Sequence, residues 1–207
     1  MRGLLLKDLY LIRKYLVSYL VLMVVFLVIS AFSNGNMFLT FYPCLIATMV
    51  PVNLLSYDER SGWDRYSSTL PLTRAQIVSA KYGIGLGMQA MVLIFTGVAQ
   101  AIRVSFGAAT WREFLLMMEM MVTLSFFSSS FSMPFMFKMG VEKGRMAYLV
   151  SVGLVTGGSM LASGMFQAQV ESRRLLLGGQ MVFMLLAVVC YIGSWLLSIR
   201  FYKKREL

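Results

Sequence analysis

The chain has 207 residues, of which 58% are hydrophobic and only 14% charged, with a formal net charge of +10. An ordinary soluble domain is about 45–50% apolar and about 25% charged, so this composition excludes a water-soluble domain as the main body and points to the bilayer as solvent. Histidine is absent, which excludes imidazole-ligated zinc, Ser–His and Cys–His catalysis and imidazole proton relays.

The first element is "MRGLLLKDLYLIRKYL". At 100° per residue Leu5, Leu9, Ile12 and Leu16 form one stripe, with Lys7 and Lys14 opposite. This pattern predicts an amphipathic helix over 1–14 that lies in the interface, its stripe in the acyl boundary and its lysines toward anionic headgroups. A simple extension of the first span is the alternative.

Crossing the hydrocarbon takes about 20 apolar residues. Six runs meet this, at 15–32, 37–56, 83–106, 114–137, 147–166 and 175–199. Strand alternation is absent, which disfavours a membrane β-barrel. The expected fold is therefore an all-α membrane protein with six transmembrane helices in one domain spanning 1–207. A cleaved signal peptide is not expected, because no small-residue cleavage site follows the first run. Cys44 and Cys190 both sit in apolar runs at different expected depths, so they read as buried hydrophobes rather than a disulfide.

Basic residues set the orientation. Fifteen of the 19 fall before the first span, in the loop after the second, in the loop after the fourth and after the sixth; Arg103, Arg112, Arg173 and Arg174 fall on the other side. Both termini and the loop over 57–82 are therefore expected in the cytoplasm. The same asymmetry accounts for the basic excess without nucleic acid.

Between the second and third spans lies "SYDERSGWDRYSSTLPLTRAQIVSAKY", Ser56 to Tyr82. "SYDE" fits a capping box, Ser56 with Glu59. It predicts a short helix over 57–67 that presents Asp58, Glu59, Arg60, Trp63, Asp64, Arg65 and Tyr66. Pro71 breaks the chain, and "TRAQ" offers a second capping box from Thr73 to Gln76. Trp63 and Tyr66 either anchor the headgroup level or belong to a docking surface.

Within the spans, Gly83–Gly87 and Gly153–Gly157 permit close helix approach. Glu119 is the only carboxylate within a span and Arg103 the only cation, at similar depth, so a mutual ion pair is plausible beside snorkelling of Arg103. Ser125, Ser128, Ser129, Ser130 and Ser132 precede Pro134, where they either satisfy backbone carbonyls or line a substrate path. No cluster of metal-ligating residues and no phosphate-binding G-x-x-x-x-G-K-[ST] loop occurs, and "GIGLG" opens a span rather than a phosphate cradle.

The succession "RGLLLKDLYLIRKY", "DERSGWDRYSSTLPLTRAQIVSAKY" and "SIRFYKKREL" resembles permease subunits of ABC type-2 exporters, and is most similar to the small six-helix branch that exports phenol-soluble modulins. The resemblance implies that the 57–82 loop holds a coupling helix seated in a groove of a separate ATPase subunit, which binds ATP and magnesium; no cofactor is implied in this chain itself. It also implies a second copy of the chain or a homologous permease, a hydrophobic or amphipathic substrate such as a peptide, export by alternating access, and a bacterial cytoplasmic membrane. An ATP-independent channel or an assembly scaffold is the alternative. A membrane enzyme is disfavoured by the lone span carboxylate and the missing histidines.

Overall fold

The computed structural model describes residues 2–32, 37–67, 69–144, 146, 148–150, 152–154, 157 and 173–204. Helices α1 (Arg2–Phe32), α2 (Met37–Ser61), α3 (Trp63–Ser67), α4 (Arg74–Ser105), α5 (Trp111–Met139) and α6 (Arg173–Lys204) follow in order. The described residues between 141 and 157 are also helical, and no strand occurs among the described residues. Apolar runs fold this way because a helix satisfies its own backbone groups where water is absent. Among the described residues four stretches, Thr40–Ser61, Arg74–Ser105, Trp111–Met139 and Met181–Lys204, are long and apolar enough to cross a membrane. The two parts of α1, Gly3–Arg13 and Val17–Ser30, meet at 58° and together would make a fifth. Most of the expected span over 147–166 lies outside the described residues.

α2 sits between α1, α4 and α5, while α6 packs on α4 and α5. Four internal clusters run along this assembly among the described residues, the smallest of them Val52, Met136 and Val141. Leu4, Ile77, Val78, Tyr82, Met133, Phe137, Tyr191 and Tyr202 form one at the end where the basic residues gather. Ile12, Val50, Leu54, Ile84 and Met88 form the next, and Met23, Cys44, Ala47, Val92 and Met121 the third. Cys44 and Cys190 are free thiols; Cys44 is buried as expected, whereas Cys190 is only partly so.

The stripe expected on the first helix is divided. Leu5 and Leu9 are exposed, but Ile12 is buried against α2 and α4. The face turned to the protein is Leu4, Asp8 and Ile12, spaced four residues apart on one side of a helix.

Hydrogen bonds between side chains stitch the apolar interior. Tyr82 Oη lies 2.8 Å from both Ser194 Oγ and Ser198 Oγ, and Trp195 Nε1 donates to Ser79 Oγ at 3.1 Å. Asn53 Nδ2 donates to Tyr19 Oη at 2.8 Å. Ser30 and Thr40 hydroxyls pair at 2.7 Å across α1 and α2.

Pro43 and Pro51 both lie within α2. The close approach of α4 to this helix occurs at Gly85, where an added Cβ would stand 3.0 Å from Pro51 Cγ. Gly83 and Gly87, the expected contact pair, have nothing within 4 Å of such an atom. A proline ring cannot swing aside as a flexible side chain can, so overpacking here costs on the order of 1–3 kcal/mol. Gly85→Leu should therefore lower the melting temperature of the detergent-purified protein by several degrees, while Gly87→Leu leaves it unchanged or raises it. The opposite ranking would move the helix contact to the other glycine face.

Candidate functional site

The polar stretch after the second span is built differently from its capping pattern. Ser56 does not cap a new helix: α2 continues through it to Ser61, because nothing between Val52 and Ser61 breaks a helix. The break comes at Gly62, whose φ of +68° lies in the left-handed region that glycine adopts without strain. α3 then starts with the Tyr66 amide donating to Gly62 O at 3.3 Å. The second box is as expected: Thr73 Oγ1 accepts from the Gln76 amide, Gln76 answers to the Thr73 amide, and α4 begins at Arg74. The same device, Thr110 with Glu113, starts α5.

Asp58 ends up inside. It is 4% exposed, and its two oxygens lie 2.6 Å from Lys7 Nζ and 2.6 Å from Lys81 Nζ. Asp8 completes a ring, 3.3 Å from Lys7 and 2.8 Å from Lys81. Two cations thus face two carboxylates, joining α1, α2 and α4. Lys81 and Asp8 are almost wholly buried, whereas the Lys7 side chain keeps 25% of its surface. The Lys7 ammonium also stands 3.9 Å over the Trp63 ring, a cation–π contact that ties α3 to the ring of charges.

Glu59 turns the other way. Its Oε2 accepts from the Val141 amide at 2.9 Å, and a Cβ on Gly140 (φ +86°) would stand 3.0 Å from Oε1. The carboxylate therefore serves the orphan amides of the helical residues after Gly140. Arg74 does the corresponding work at a helix C-terminus: its Nη1 donates to the Tyr202 carbonyl at 3.0 Å and the Lys203 carbonyl at 2.9 Å. The start of α1, the 57–82 stretch, the α5 end and the α6 end thus share one end of the assembly.

Of the residues expected on the loop surface, Arg60 is exposed and Tyr66 is 58% exposed. Trp63 is half-buried, its ring 5.5 Å from that of Tyr66, and its Nε1 has no partner among the described residues. Asp64 and Arg65 belong to α3, but their side chains lie outside the described residues. Lys7, Asp8, Lys81 and Arg74 complete the site without having been expected in it. One signal does mark Asp8: it falls between Leu4 and Ile12 on a single helical face, and a charge on an apolar face must be paired.

The intramembrane candidates separate. Arg103 Nη1 donates to Gln100 Oε1 at 3.3 Å, while Glu119 Oε1 is buried without a partner. No ion pair joins the two among the described residues. Ser125, Ser128, Ser129 and Ser132 are buried. Ser125 Oγ bonds the Val122 carbonyl and Ser132 Oγ those of Ser128 and Ser129. Ser129 Oγ also accepts from Gln89 Nε2 at 2.6 Å, joining α5 to α4. Ser129 alone of the four thus joins two helices among the described residues; Ser125 and Ser132 bond carbonyls of their own helix, and Ser128 Oγ is buried without a partner there.

The family model described as "ABC-2 family transporter protein" matches residues 3–203. No curated protein and no solved structure matches the chain.

Removing one member of a buried ion network leaves an uncompensated charge, which costs about 3–5 kcal/mol. Asp58→Asn should therefore depress the melting temperature sharply, since both lysines would then face Asp8 alone. Lys81→Met should do likewise, and Lys7→Met less, because water still reaches Lys7. Melting curves in detergent give the ranking, and an unaltered Asp58→Asn curve would dismiss the network as a structural element.

Proposed function

The chain belongs to the ABC-2 family of transporter proteins and is a membrane subunit of an ABC transporter; from that premise we propose that it exports hydrophobic or amphipathic substrates, peptides foremost, driven by a separate ATPase subunit docked on the 57–82 stretch. The observation that carries this reading is the contrast within that stretch. Its base is gripped by buried charges, while Arg60 and Tyr66 project outward from it. A helix so mounted passes force to its neighbours instead of flexing alone. Pressure on α3 would reach α1 through Trp63 and Lys7, α2 and α4 through Asp58, and the helical residues after Gly140 through Glu59.

Six crossings fit this geometry. Phe126 meets Tyr191 and, eleven residues further along each helix, Phe137 meets Tyr202. α5 and α6 therefore run parallel, as an intervening crossing over 147–166 requires. The basic end would face the cytoplasm of a bacterial cell, by the charge asymmetry of the loops.

Two such membrane subunits, identical or homologous, would enclose the substrate between them. The internal space lined by Tyr19, Met23, Pro43, Ile46, Ala47, Val50, Met88 and Val92 is only about 20 Å³, room for one water. That space would not admit a peptide. A path along the four serines would open only if α5 moved against α4. ATP and magnesium would be held by the partner, whose nucleotide cycle drives alternating access.

Docking is tested at the projecting residues, because Asp58, Glu59 and Trp63 also hold the chain together. Arg60→Ala with Tyr66→Ala should reduce the ATPase recovered with the purified membrane subunit at least about tenfold, the loss of two anchor side chains. The melting temperature of the membrane subunit alone should not change. Full recovery of the ATPase by this double variant would remove the docking surface from α3. A second measurement follows peptide-stimulated hydrolysis by the complex, which identifies the substrate class.

A further inference from the structure

The exposed face of α6 runs through Val189, Ile192 and Leu196 and continues at helical spacing into Arg200, Lys203 and Lys204, all exposed. Beside it, the exposed face of α5 runs through Phe131 and Phe135 into Lys138, also exposed. The two faces converge where Lys138 Nζ stands 5.1 Å over the Phe201 ring. Among the described residues none of these four cations has a carboxylate partner, and exposed Glu142, four residues from Lys138, pairs with none of them. The support is rigid, because Arg74 holds the Tyr202 and Lys203 carbonyls and Tyr202 is buried.

We propose that Lys138, Arg200 and Lys204, grouped around Phe201, form a binding site for an anionic phospholipid, its phosphate on the cations and its acyl chains along the apolar faces of α5 and α6. Charge complementarity selects this occupant. Unpaired cations sit where the apolar stripes end, which is the depth of headgroups, and basic residues at that depth attract anionic lipid. A zwitterionic lipid offers no net charge to match them, and a free phosphate ion would make no use of the stripes. Lys203 flanks the site and adds to the local field.

The test uses the full chain purified in detergent and supplied with phosphatidylglycerol or phosphatidylcholine, with retained lipid counted by native mass spectrometry. The wild-type chain should keep phosphatidylglycerol in preference to phosphatidylcholine. The K138Q/R200Q/K204Q variant should bind it at least about tenfold more weakly, following the contribution of each basic residue at a membrane surface. The charge-keeping K138R/R200K/K204R variant should retain it, and inorganic phosphate at the same concentration should not displace it. Equal retention by wild type and the glutamine variant overturns the site, as does equal retention of the two lipids or displacement by phosphate. Should the glutamine variant fail to fold, the wild type decides: preference for phosphatidylglycerol must weaken as salt rises, and a salt-independent count refutes the proposal.

Discussion

A charge taken out of water has to meet its opposite, and this constraint organises one end of the molecule. Lys7, Asp8, Asp58 and Lys81 come from three helices, and none of them could be buried without the others. Apolar packing alone gives helices in lipid little reason to choose one register over another, since the surrounding tails are as apolar as the helix faces. Four charges that must close into a ring leave one register open. The ring fixes the height of α1 against α2 and α4, and with it the height of α3.

The remaining interior follows the same logic with neutral groups. Tyr82 with Ser194 and Ser198, Trp195 with Ser79, and Gln89 with Ser129 each join two helices by hydrogen bonds that lipid cannot supply. Such bonds are worth about 0.6 kcal/mol on average in membrane proteins, so they act as register pins more than as sources of stability. Most bind α4 to the helices that follow it. This gives the molecule a firm half, α4 with α5 and α6, against which α1 and α2 are set by the charged ring and by Gly85 on Pro51.

The sequence exposed what depends on local chemistry. Long apolar runs marked the helices, Thr73 with Gln76 marked the start of α4, and Pro71 the turn before it. It misled where a local pattern was sufficient in form but unused. "SYDE" has the spacing of a capping box, yet α2 had no reason to stop there, and Gly62 is the true break. Arg103 and Glu119 share a depth, but depth does not fix the direction in which a side chain leaves its helix. Gly83 and Gly87 have the familiar spacing, whereas the contact needs the glycine that faces Pro51. Asp58 looks like a surface residue in a polar string, and only the fold buries it between Lys7 and Lys81; Glu59 is exposed as expected, and only the fold brings the Val141 amide to it.

The grip of Arg74 on the Tyr202 and Lys203 carbonyls has a bearing on biogenesis. Ribosomes make the loop long before they make α6, so α4 enters the bilayer with its guanidinium still waiting for those acceptors. A nascent chain can thread its earlier helices but cannot finish this joint until the final helix has been inserted. The joint between α4 and α6 is therefore made late, after the helices between them.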